Sequence, residues 1–358
     1  MHILSYVKQS TAKFHIAPLN IADILVISWV AYFDFGSVKD FLPLKFKDFR
    51  HLPEFKKLGP YYYSFFPKFS RKFMSYMSNS PRFEDAEVVD YECAVDKKNN
   101  AKFAVIAVRM GAHIIIGIRG TDPSYVGWKE DFQLAYKDRI HSYSLAETFI
   151  KKIIDKYDEK IILCGHSKGG NICTYLLSQL EDVSKIEHVY SFDGPGFRIK
   201  GLFKGKEERL KKHTKIIPQS SFVGVIFSNE TDVKIVKSDG VLLLQHNPFL
   251  WIIKNNDFVY LKKRTLSSKY LERVVNTWID NLSEMDRERF TEIAFGELDK
   301  FDAQDASVFM KKLLLQIGPV TKAYWGLDKE DRLLVNRVLG RLAKTLINPS
   351  KMERKQIA

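Results

Sequence analysis

The sequence has few cysteines and no long apolar run. Only three of its 358 residues are cysteine, at positions 93, 164 and 173, and no two of them form a Cys-x-x-Cys pair. So few cysteines, in an odd number, argue against a disulfide framework or a zinc site. The most apolar stretch, residues 21–35, is interrupted by two aspartates. It is also shorter than the ~20 apolar residues that a membrane-spanning helix requires, so we expect no membrane span.

The N-terminus lacks the features of a secretory leader. It has no basic segment followed by a long apolar stretch and a small-residue cleavage site. We therefore expect a cytoplasmic protein, with peripheral membrane contact left open. Carboxylates and histidines do not cluster at ligand spacing, so we expect neither a metal nor another cofactor.

Acidic residues are outnumbered by basic ones. The chain has 56 Lys and Arg against 43 Asp and Glu, which gives a net charge of +13. A basic surface suits nucleic acid, an anionic membrane or an anionic substrate. The basic residues are spread along the chain, which favours simple solubility, and no nucleic-acid motif accompanies them. We expect no nucleic-acid partner.

Three regions follow one another along the chain. Hydrophobic residues make up 45% of it and aromatic residues 13%, enough for a packed core. Residues 1–85 predict an N-terminal helical layer, with a helix over 19–35 that Asn20 caps. Residues 86–263 alternate short apolar runs with amphipathic helices, and residues 264–358 are helical. This alternation predicts an α/β fold with a largely parallel sheet flanked by helices.

Local patterns refine this prediction. The continuous apolar run 160–164 is typical of a strand buried on both faces, and a helix is expected over 169–180. Further strands are expected near 222–227 and 241–244. The aromatic stretch 61–66 indicates core packing, with a lipid- or ligand-facing surface as the alternative.

The turn between that apolar run and the next helix has the pattern Gly165-x-Ser167-x-Gly169. Alone, the pattern would occur by chance in roughly one chain in ten of this length. Its setting between a buried strand and a helix is the one that lifts a serine onto a sharp bend. Glycine fits on either side because the strained backbone leaves no room for side chains. We predict Ser167 as the nucleophile of an α/β-hydrolase, with the N–H of Lys168 aimed at the same spot.

Further segments around this turn carry a family resemblance. They are Ile118-Arg119-Gly120-Thr121-Asp122, Gly127-Trp128-Lys129-Glu130-Asp131-Phe132, Ile140-His141-Ser142-Tyr143, Ser191-Phe192-Asp193-Gly194-Pro195-Gly196-Phe197 and Gln245-His246-Asn247-Pro248-Phe249, with Trp251 close behind. Together they resemble the class 3 lipase family, and more closely its bacterial lipase-like relatives of poorly defined function. The resemblance covers roughly residues 85–255 and implies an α/β-hydrolase fold and a serine hydrolase acting on a small-molecule or lipid ester. It puts Thr121 at the oxyanion-hole position, with its backbone N–H beside that of Lys168.

A serine hydroxyl needs a general base within hydrogen-bond reach, and nine histidines are available. His166 lies inside the turn, where its side chain faces away from the serine hydroxyl. His246 follows the expected strand at 241–244 and matches the Ser, acid, His order of this fold. We predict His246 as the base, the alternative being a loop histidine packed on Trp251.

The acid departs from the family pattern. In class 3 lipases it follows the strand after the Gly-Pro turn, but the corresponding stretch 217–224 has no carboxylate and carries Ser221 instead. Asp193, directly after the strand that follows the nucleophile helix, is the predicted replacement. Asp232 and Asp239 are alternatives, and Asp193 could also be a turn residue that binds backbone N–H groups.

The sequence leaves two hypotheses about function. The first is a serine acyl hydrolase, esterase- or lipase-like, cleaving a carboxylic ester or thioester through an acyl-enzyme on Ser167. The second is a non-catalytic interaction or membrane-surface module on the same scaffold, which the missing family carboxylate favours. Arg119 and Asp122 either brace the Thr121 loop or form a surface ion pair, and His141 is assigned no chemistry. The basic C-terminal helices suit either an anionic bilayer or packing on the N-terminal helices.

Overall fold

The structure is a computed structural model. The described residues are 1–54, 67–96, 98–122, 124–299 and 324–348. The aromatic stretch 61–66 therefore lies outside the described residues.

A nine-stranded mixed sheet forms the centre of the protein. In chain order the strands are β1 (Leu44–Lys45), β2 (Glu87–Asp96), β3 (Ala101–Met110), β4 (His113–Ile118), β5 (Lys160–His166), β6 (Ile186–Phe192), β7 (His213–Pro218), β8 (Val233–Val236), β9 (Ile253–Lys254), β10 (Asp257–Phe258) and β11 (Tyr260–Leu261). Their order across the sheet is β1-β2-β3-β4-β5-β6-β7-β8-β11, and β9 pairs with β10 separately. Strands β4 to β8 are parallel, while β1 to β4 and the β8–β11 pair are antiparallel. The predicted α/β fold class is confirmed, with antiparallel strands at both edges.

The described helices lie before, between and after the central strands. They are α1 (Ile3–Gln9), α2 (Ile21–Val30), α3 (Phe46–Phe49), α4 (Pro67–Asn79), α5 (Tyr125–Gln133), α6 (His141–Lys156), α7 (Lys168–Gln179), α8 (Leu266–Asp280), α9 (Glu284–Asp299) and α10 (Lys329–Ile347). Helix α2 begins at a capping box, because the Asn20 side chain accepts from Asp23 N–H while the Asp23 carboxylate accepts from Asn20 N–H. The cap predicted at Asn20 is therefore confirmed.

The central strands bury both of their faces. Successive side chains of a strand point to opposite faces, so Ile162 of β5 joins the core cluster that contains α1 and α2. Its neighbour Leu163 joins the cluster that contains α6 and α7. Helix α2 lies so close to the sheet that a Cβ on Gly117 would meet the Ile27 carbonyl oxygen at 2.8 Å. The N-terminal residues are therefore part of one core with the sheet.

Two strand predictions are wrong. The expected strand at 222–227 contains a 3-10 turn, Val223–Val225, and the one at 241–244 runs into the 3-10 segment Leu242–His246. Leu242 has φ of 49°, a left-handed conformation that no strand residue adopts. All four side chains of this apolar run are exposed.

No helix in the described ranges is both long and apolar enough to cross a membrane.

Candidate active site

The carboxyl ends of the parallel strands bring the sequence-predicted site residues to one edge of the sheet. In register, Ile118 of β4 lies opposite Gly165 of β5, and Phe192 of β6 lies opposite Ile216 of β7. The ladder continues past the strand ends, because Ser167 N–H donates to the Phe192 carbonyl at 2.9 Å. Ligands of open α/β sheets bind outside this carboxyl edge.

Ser167 sits on a strained turn between β5 and α7. Its φ of 58° and ψ of −131° lie in a region that a residue with a side chain rarely adopts. A Cβ on Gly165 would lie 2.2 Å from the carbonyl carbon of Gly169, and a Cβ on Gly169 would lie 2.1 Å from the Ile118 carbonyl oxygen. Both motif glycines are therefore required by close approach of the backbone.

Asp193 and His246 are in contact. His246 Nδ1 donates to Asp193 Oδ2 at 2.7 Å, with the Asp193 side chain fully buried and the His246 side chain 28% exposed. Asp193 emerges directly after β6, and its backbone N–H donates to the Ile216 carbonyl at 2.7 Å. The two alternative carboxylates lie elsewhere: Asp239 contacts His2 at 3.0 Å, and Asp232 is exposed at the start of β8.

Ser221, which stands where the family pattern has a carboxylate, is hydrogen-bonded to Asp193. Ser221 Oγ donates to Asp193 Oδ1 at 2.5 Å, and Gly224 N–H donates to the same oxygen at 3.2 Å. A Cβ on Gly224 would approach that oxygen to 2.3 Å. The stretch 217–224 therefore supplies hydrogen-bond donors to a carboxylate held by the neighbouring strand.

His166 holds the backbone of His246. Its Nε2 lies 2.7 Å from the His246 carbonyl oxygen and its Nδ1 lies 2.9 Å from the Tyr32 hydroxyl. A carbonyl only accepts, so Nε2 carries the proton and the Tyr32 hydroxyl donates to Nδ1. Burial, with the nearby His246, holds the pKa of His166 well below its ordinary value, so the ring stays neutral.

The rings of His166 and His246 lie 4.4 Å apart between centroids, and this contact brings His246 next to the turn that carries Ser167. The described hydrogen bonds do not join the Ser167 hydroxyl to His246, a bond that often tightens only when substrate binds. The Trp251 indole N–H donates to the carbonyl of Gln245, the residue before His246, at 2.8 Å. Sequence reasoning missed Tyr32 because it lies 134 residues from His166, and only a three-dimensional contact identifies it.

The predicted oxyanion-hole residues are both braced by α5. The Thr121 hydroxyl donates to the Asp131 carboxylate at 2.6–2.7 Å. Lys168 is the first residue of α7, so its N–H has no acceptor within the helix. The Lys168 ammonium is buried and donates to Glu130 Oε2 at 2.6 Å, and Glu130 also accepts from the N–H and hydroxyl of Ser142.

The charged groups near Thr121 and Lys168 shift one another's pKa values. Burial lowers the pKa of Lys168, but the carboxylates of Glu130 and Asp131 outweigh it and raise that pKa, so the ammonium stays charged. Desolvation raises the pKa of Asp131 to about 6 against the opposing Lys168 charge, although 31% of the Asp131 side chain remains exposed. The pairing holds the Lys168 ammonium against Glu130 and Asp131 of α5.

Arg119 and Asp122 form a buried pair, so the surface ion pair considered from the sequence is wrong. Arg119 Nη2 lies 3.8 Å from Asp122 Oδ2, and each side chain is at most 1% exposed. Asp122 also contacts Lys102 Nζ at 2.6 Å and accepts from the N–H of Ser124, which caps α5. Although desolvation opposes it, the Arg119 and Lys102 charges lower the pKa of Asp122.

His141 is the first residue of α6 and faces Asp96, the last residue of β2. Its Nε2 lies 3.4 Å from Asp96 Oδ2. Within the described residues, no three His, Cys, Asp or Glu side chains converge on a position that could hold a metal ion.

Comparison with known proteins finds similar solved structures and a matching family model. No curated protein matches the chain. Among solved structures, the chain is similar to Lip2 lipase from Yarrowia lipolytica, at 14% identity, 49% coverage of this chain, 71% of that chain and a TM-score of 0.34. It is similar to a mutant form of MDLA from Penicillium cyclopium, at 11% identity, 67% and 84% coverage and a TM-score of 0.41. It is also similar to lipase II from Rhizopus niveus, at 13% identity, 47% and 70% coverage and a TM-score of 0.34.

The second finding concerns the family. A family model described as Mbeg1-like matches residues 77–296. This span is more than half of the 358 residues and includes the Ser167 turn, Asp193 and His246. The chain therefore belongs to the Mbeg1-like family.

Proposed function

We propose that the protein is a serine acyl hydrolase that cleaves a carboxylic ester or thioester through an acyl-enzyme on Ser167. The observation that carries the proposal is the 2.7 Å contact between His246 Nδ1 and the buried Asp193 carboxylate, at the sheet edge that also bears Ser167. A carboxylate at Nδ1 orients the imidazole, leaves Nε2 free to take a proton and stabilises the imidazolium that forms. The chain order Ser167, Asp193, His246 agrees with this division of roles.

The reaction divides into two acyl transfers. Ser167 Oγ attacks the substrate carbonyl carbon while His246 Nε2 takes the hydroxyl proton, and His246 then returns that proton to the leaving alcohol or thiol. A water molecule attacks the acyl-enzyme with His246 as base, which releases the carboxylic acid and restores Ser167. No cofactor takes part in either step.

The N–H groups of Thr121 and Lys168 stabilise the oxyanion in this scheme. Removing one such donor typically costs ~10²–10³ in kcat. The hydrogen bond from the Thr121 hydroxyl to Asp131 and the Lys168–Glu130 pair support the role, because both fix the backbone on either side of Ser167. Preorganised donors need no rearrangement when charge develops.

A fluorophosphonate probe tests the nucleophile. We expect stoichiometric labelling of the wild-type protein and none of Ser167→Ala. The matched control is Ser184→Ala, an exposed serine on a turn bonded to Asp182, which should label normally. A folded wild-type protein that stays unlabelled would remove the enzyme proposal and favour the non-catalytic module. Hydrolysis of p-nitrophenyl esters of increasing acyl length then defines the substrate, and we expect short to medium chains.

Substitution of the carboxylates tests the acid. Asp193→Asn should lower kcat by ~10⁴ because the imidazole loses its orienting partner. Asp239→Asn and Asp232→Asn should leave kcat unchanged, since neither carboxylate contacts His246. Near-normal turnover of Asp193→Asn together with loss in one of the others would move the role to that residue.

A further inference from the structure

An exposed apolar segment ends two residues before His246. Four consecutive aliphatic residues, 241–244, have exposed fractions of 65%, 74%, 65% and 45%. Isolated exposed aliphatic residues are common on protein surfaces, but a contiguous group marks an interaction site. We call residues 241–244 the apolar tip.

The base of the apolar tip is held by hydrogen bonds of Gln245. The Gln245 side chain is buried, donates to the Gly240 carbonyl at 2.9 Å and accepts from Ser220 N–H at 2.8 Å. Its backbone carbonyl accepts from the buried Trp251 indole at 2.8 Å. Leu242 adopts φ of 49°, a conformation that costs free energy in a residue with a side chain. The exposure is thus fixed by the fold at both ends of the segment.

Exposed basic residues are linked to the base of the apolar tip along the chain and through hydrogen bonds of Gln219. Lys237 is exposed four residues before the tip, and exposed Lys262 and Lys263 precede Thr265, whose N–H donates to the Gln219 carbonyl. The Gln219 side chain in turn bonds both the N–H and the carbonyl of Ser238, at the base of the tip. Residues 237–264 contain five Lys or Arg against two Asp, one of which contacts His2.

We propose that the apolar tip docks the protein onto an anionic lipid bilayer. Aliphatic side chains that enter the acyl boundary, with lysines at the headgroup level, are the combination that anionic membranes recognise. A second copy of this chain fits less well, because four side chains cover far less than the ~800 Å² per partner of a stable protein interface. Docking at this tip brings the His246 end of the sheet toward the membrane.

Vesicle flotation tests this binding without enzymatic turnover. Ser167→Ala protein is mixed with phosphatidylcholine vesicles with or without phosphatidylserine, so the result does not depend on the proposed function. We expect binding to the phosphatidylserine vesicles that weakens with added salt, and weak binding to phosphatidylcholine alone. Absence of binding to phosphatidylserine vesicles by the folded protein would refute the docking proposal, whatever the outcome of probe labelling.

Matched substitutions locate the surface. Leu242→Gln with Leu243→Gln should lower the vesicle partition coefficient about 100-fold, near tenfold for each leucine withdrawn from the apolar phase. Leu333→Gln with Leu339→Gln, at exposed leucines of α10, removes equal hydrophobicity and should leave binding unchanged. Lys262→Gln with Lys263→Gln should reduce the phosphatidylserine preference, whereas the exposed pair Lys200→Gln with Lys204→Gln should not.

Two further outcomes would overturn the assignment. Equal binding by the tip and α10 variants would place the membrane surface elsewhere. A dimer in sedimentation velocity that Leu242→Gln with Leu243→Gln abolishes, without vesicle binding, would assign the tip to a second copy of the chain.

Discussion

Single side chains around the candidate site hold its geometry without facing the Ser167 hydroxyl. His166 bridges Tyr32 and the His246 carbonyl, and Ser221 with Gly224 donates to Asp193. Lys215 on β7 is buried, its Nζ bonds to Asn229, and burial lowers its pKa while the Asp193 carboxylate acts in the opposite direction. Two predictions follow from these residues.

Substitution of His166 should slow the chemistry through the position of His246. His166→Phe removes the N–H that fixes the His246 carbonyl, and we expect the rate constant of fluorophosphonate labelling to fall ~10–100-fold, since small misplacements of a reacting group cost this much. His166→Gln keeps a donor near the Nε2 position and should recover part of the rate. Unchanged labelling by His166→Phe, in protein with wild-type circular dichroism, would show that the contact does not position His246.

Lys215 should make stability depend on pH. Burial lowers its pKa to about 7, with Asp193 and Glu272 acting in the opposite direction, whereas the unfolded chain keeps the ordinary value of 10.5. Between these values the unfolded state binds more protons, so the free energy of unfolding rises as pH increases from about 7 to 10.5.

Lys215→Met removes that contribution, which is on the order of a few kcal/mol across the range. Urea unfolding at several pH values should show the wild-type curve rising relative to the variant. Lys200→Met, at an exposed lysine, serves as the control and should follow the wild type. Parallel curves for wild type and Lys215→Met would mean that Lys215 keeps an ordinary pKa in the folded protein.

At the scale of elements, the turn after β4 is packed far more tightly than the middle of α10. Gly120, which follows β4, allows the Thr121 loop to lie against the Ser167 turn. A Cβ there would lie 2.2 Å from the Tyr32 hydroxyl, 2.4 Å from the His166 carbonyl oxygen and 3.0 Å from Ser167 Cβ. Gly340 in α10 offers the opposite case, because its Cβ would meet nothing within 4 Å.

Alanine at these two glycines should therefore change stability in opposite directions. Gly120→Ala should lower the free energy of unfolding by ~1–3 kcal/mol, because the His166 backbone cannot withdraw from the added methyl. Gly340→Ala should raise local helix stability by ~0.5–1 kcal/mol, since alanine loses less conformational freedom in a helix. Thermal melting of both variants measures the difference, and an unchanged melting temperature for Gly120→Ala would contradict the close packing.

At the scale of the whole molecule, one core joins the N-terminal helices to the sheet. Arg82, after α4, is buried and its guanidinium contacts both carboxylate oxygens of Asp23 in α2, which also accepts from the Tyr6 hydroxyl of α1. The apolar cluster beneath the sheet includes residues of α1, α2 and β5. The N-terminal helices are therefore structural parts of the sheet domain, beyond the span 77–296 that the family model matches.

A chain limited to residues 77–296 should consequently fail to fold. It exposes the apolar face of the sheet that α1 and α2 cover, and burial of apolar surface is the dominant favourable contribution to folding. We expect strong dye binding to exposed apolar surface and no near-ultraviolet circular dichroism, whereas a chain of residues 1–296 should unfold cooperatively. Cooperative unfolding of the 77–296 chain would show that the N-terminal helices are dispensable.

The sequence by itself determined the features that depend on neighbours in the chain. The glycine spacing and the buried run before Ser167 predict the strained turn because both are local, and the same holds for the Asn20 cap and the alternation of strands and helices. Asp193 and His246 could also be selected from the sequence, because they follow Ser167 in the order typical of this fold. Their chemical roles remain proposals for the labelling and carboxylate experiments.

Only the tertiary structure decided which groups meet. The parallel register brings Asp193 and not Asp239 to His246, and Ser221 and Tyr32 reach the site from positions far away in the chain. Burial was decided at the same level: residues 241–244 have the composition of a core strand, yet anchoring by Gln245 directs them outward. The physical reason is that register, ion pairing and exposure depend on contacts between distant segments, which a local pattern does not encode.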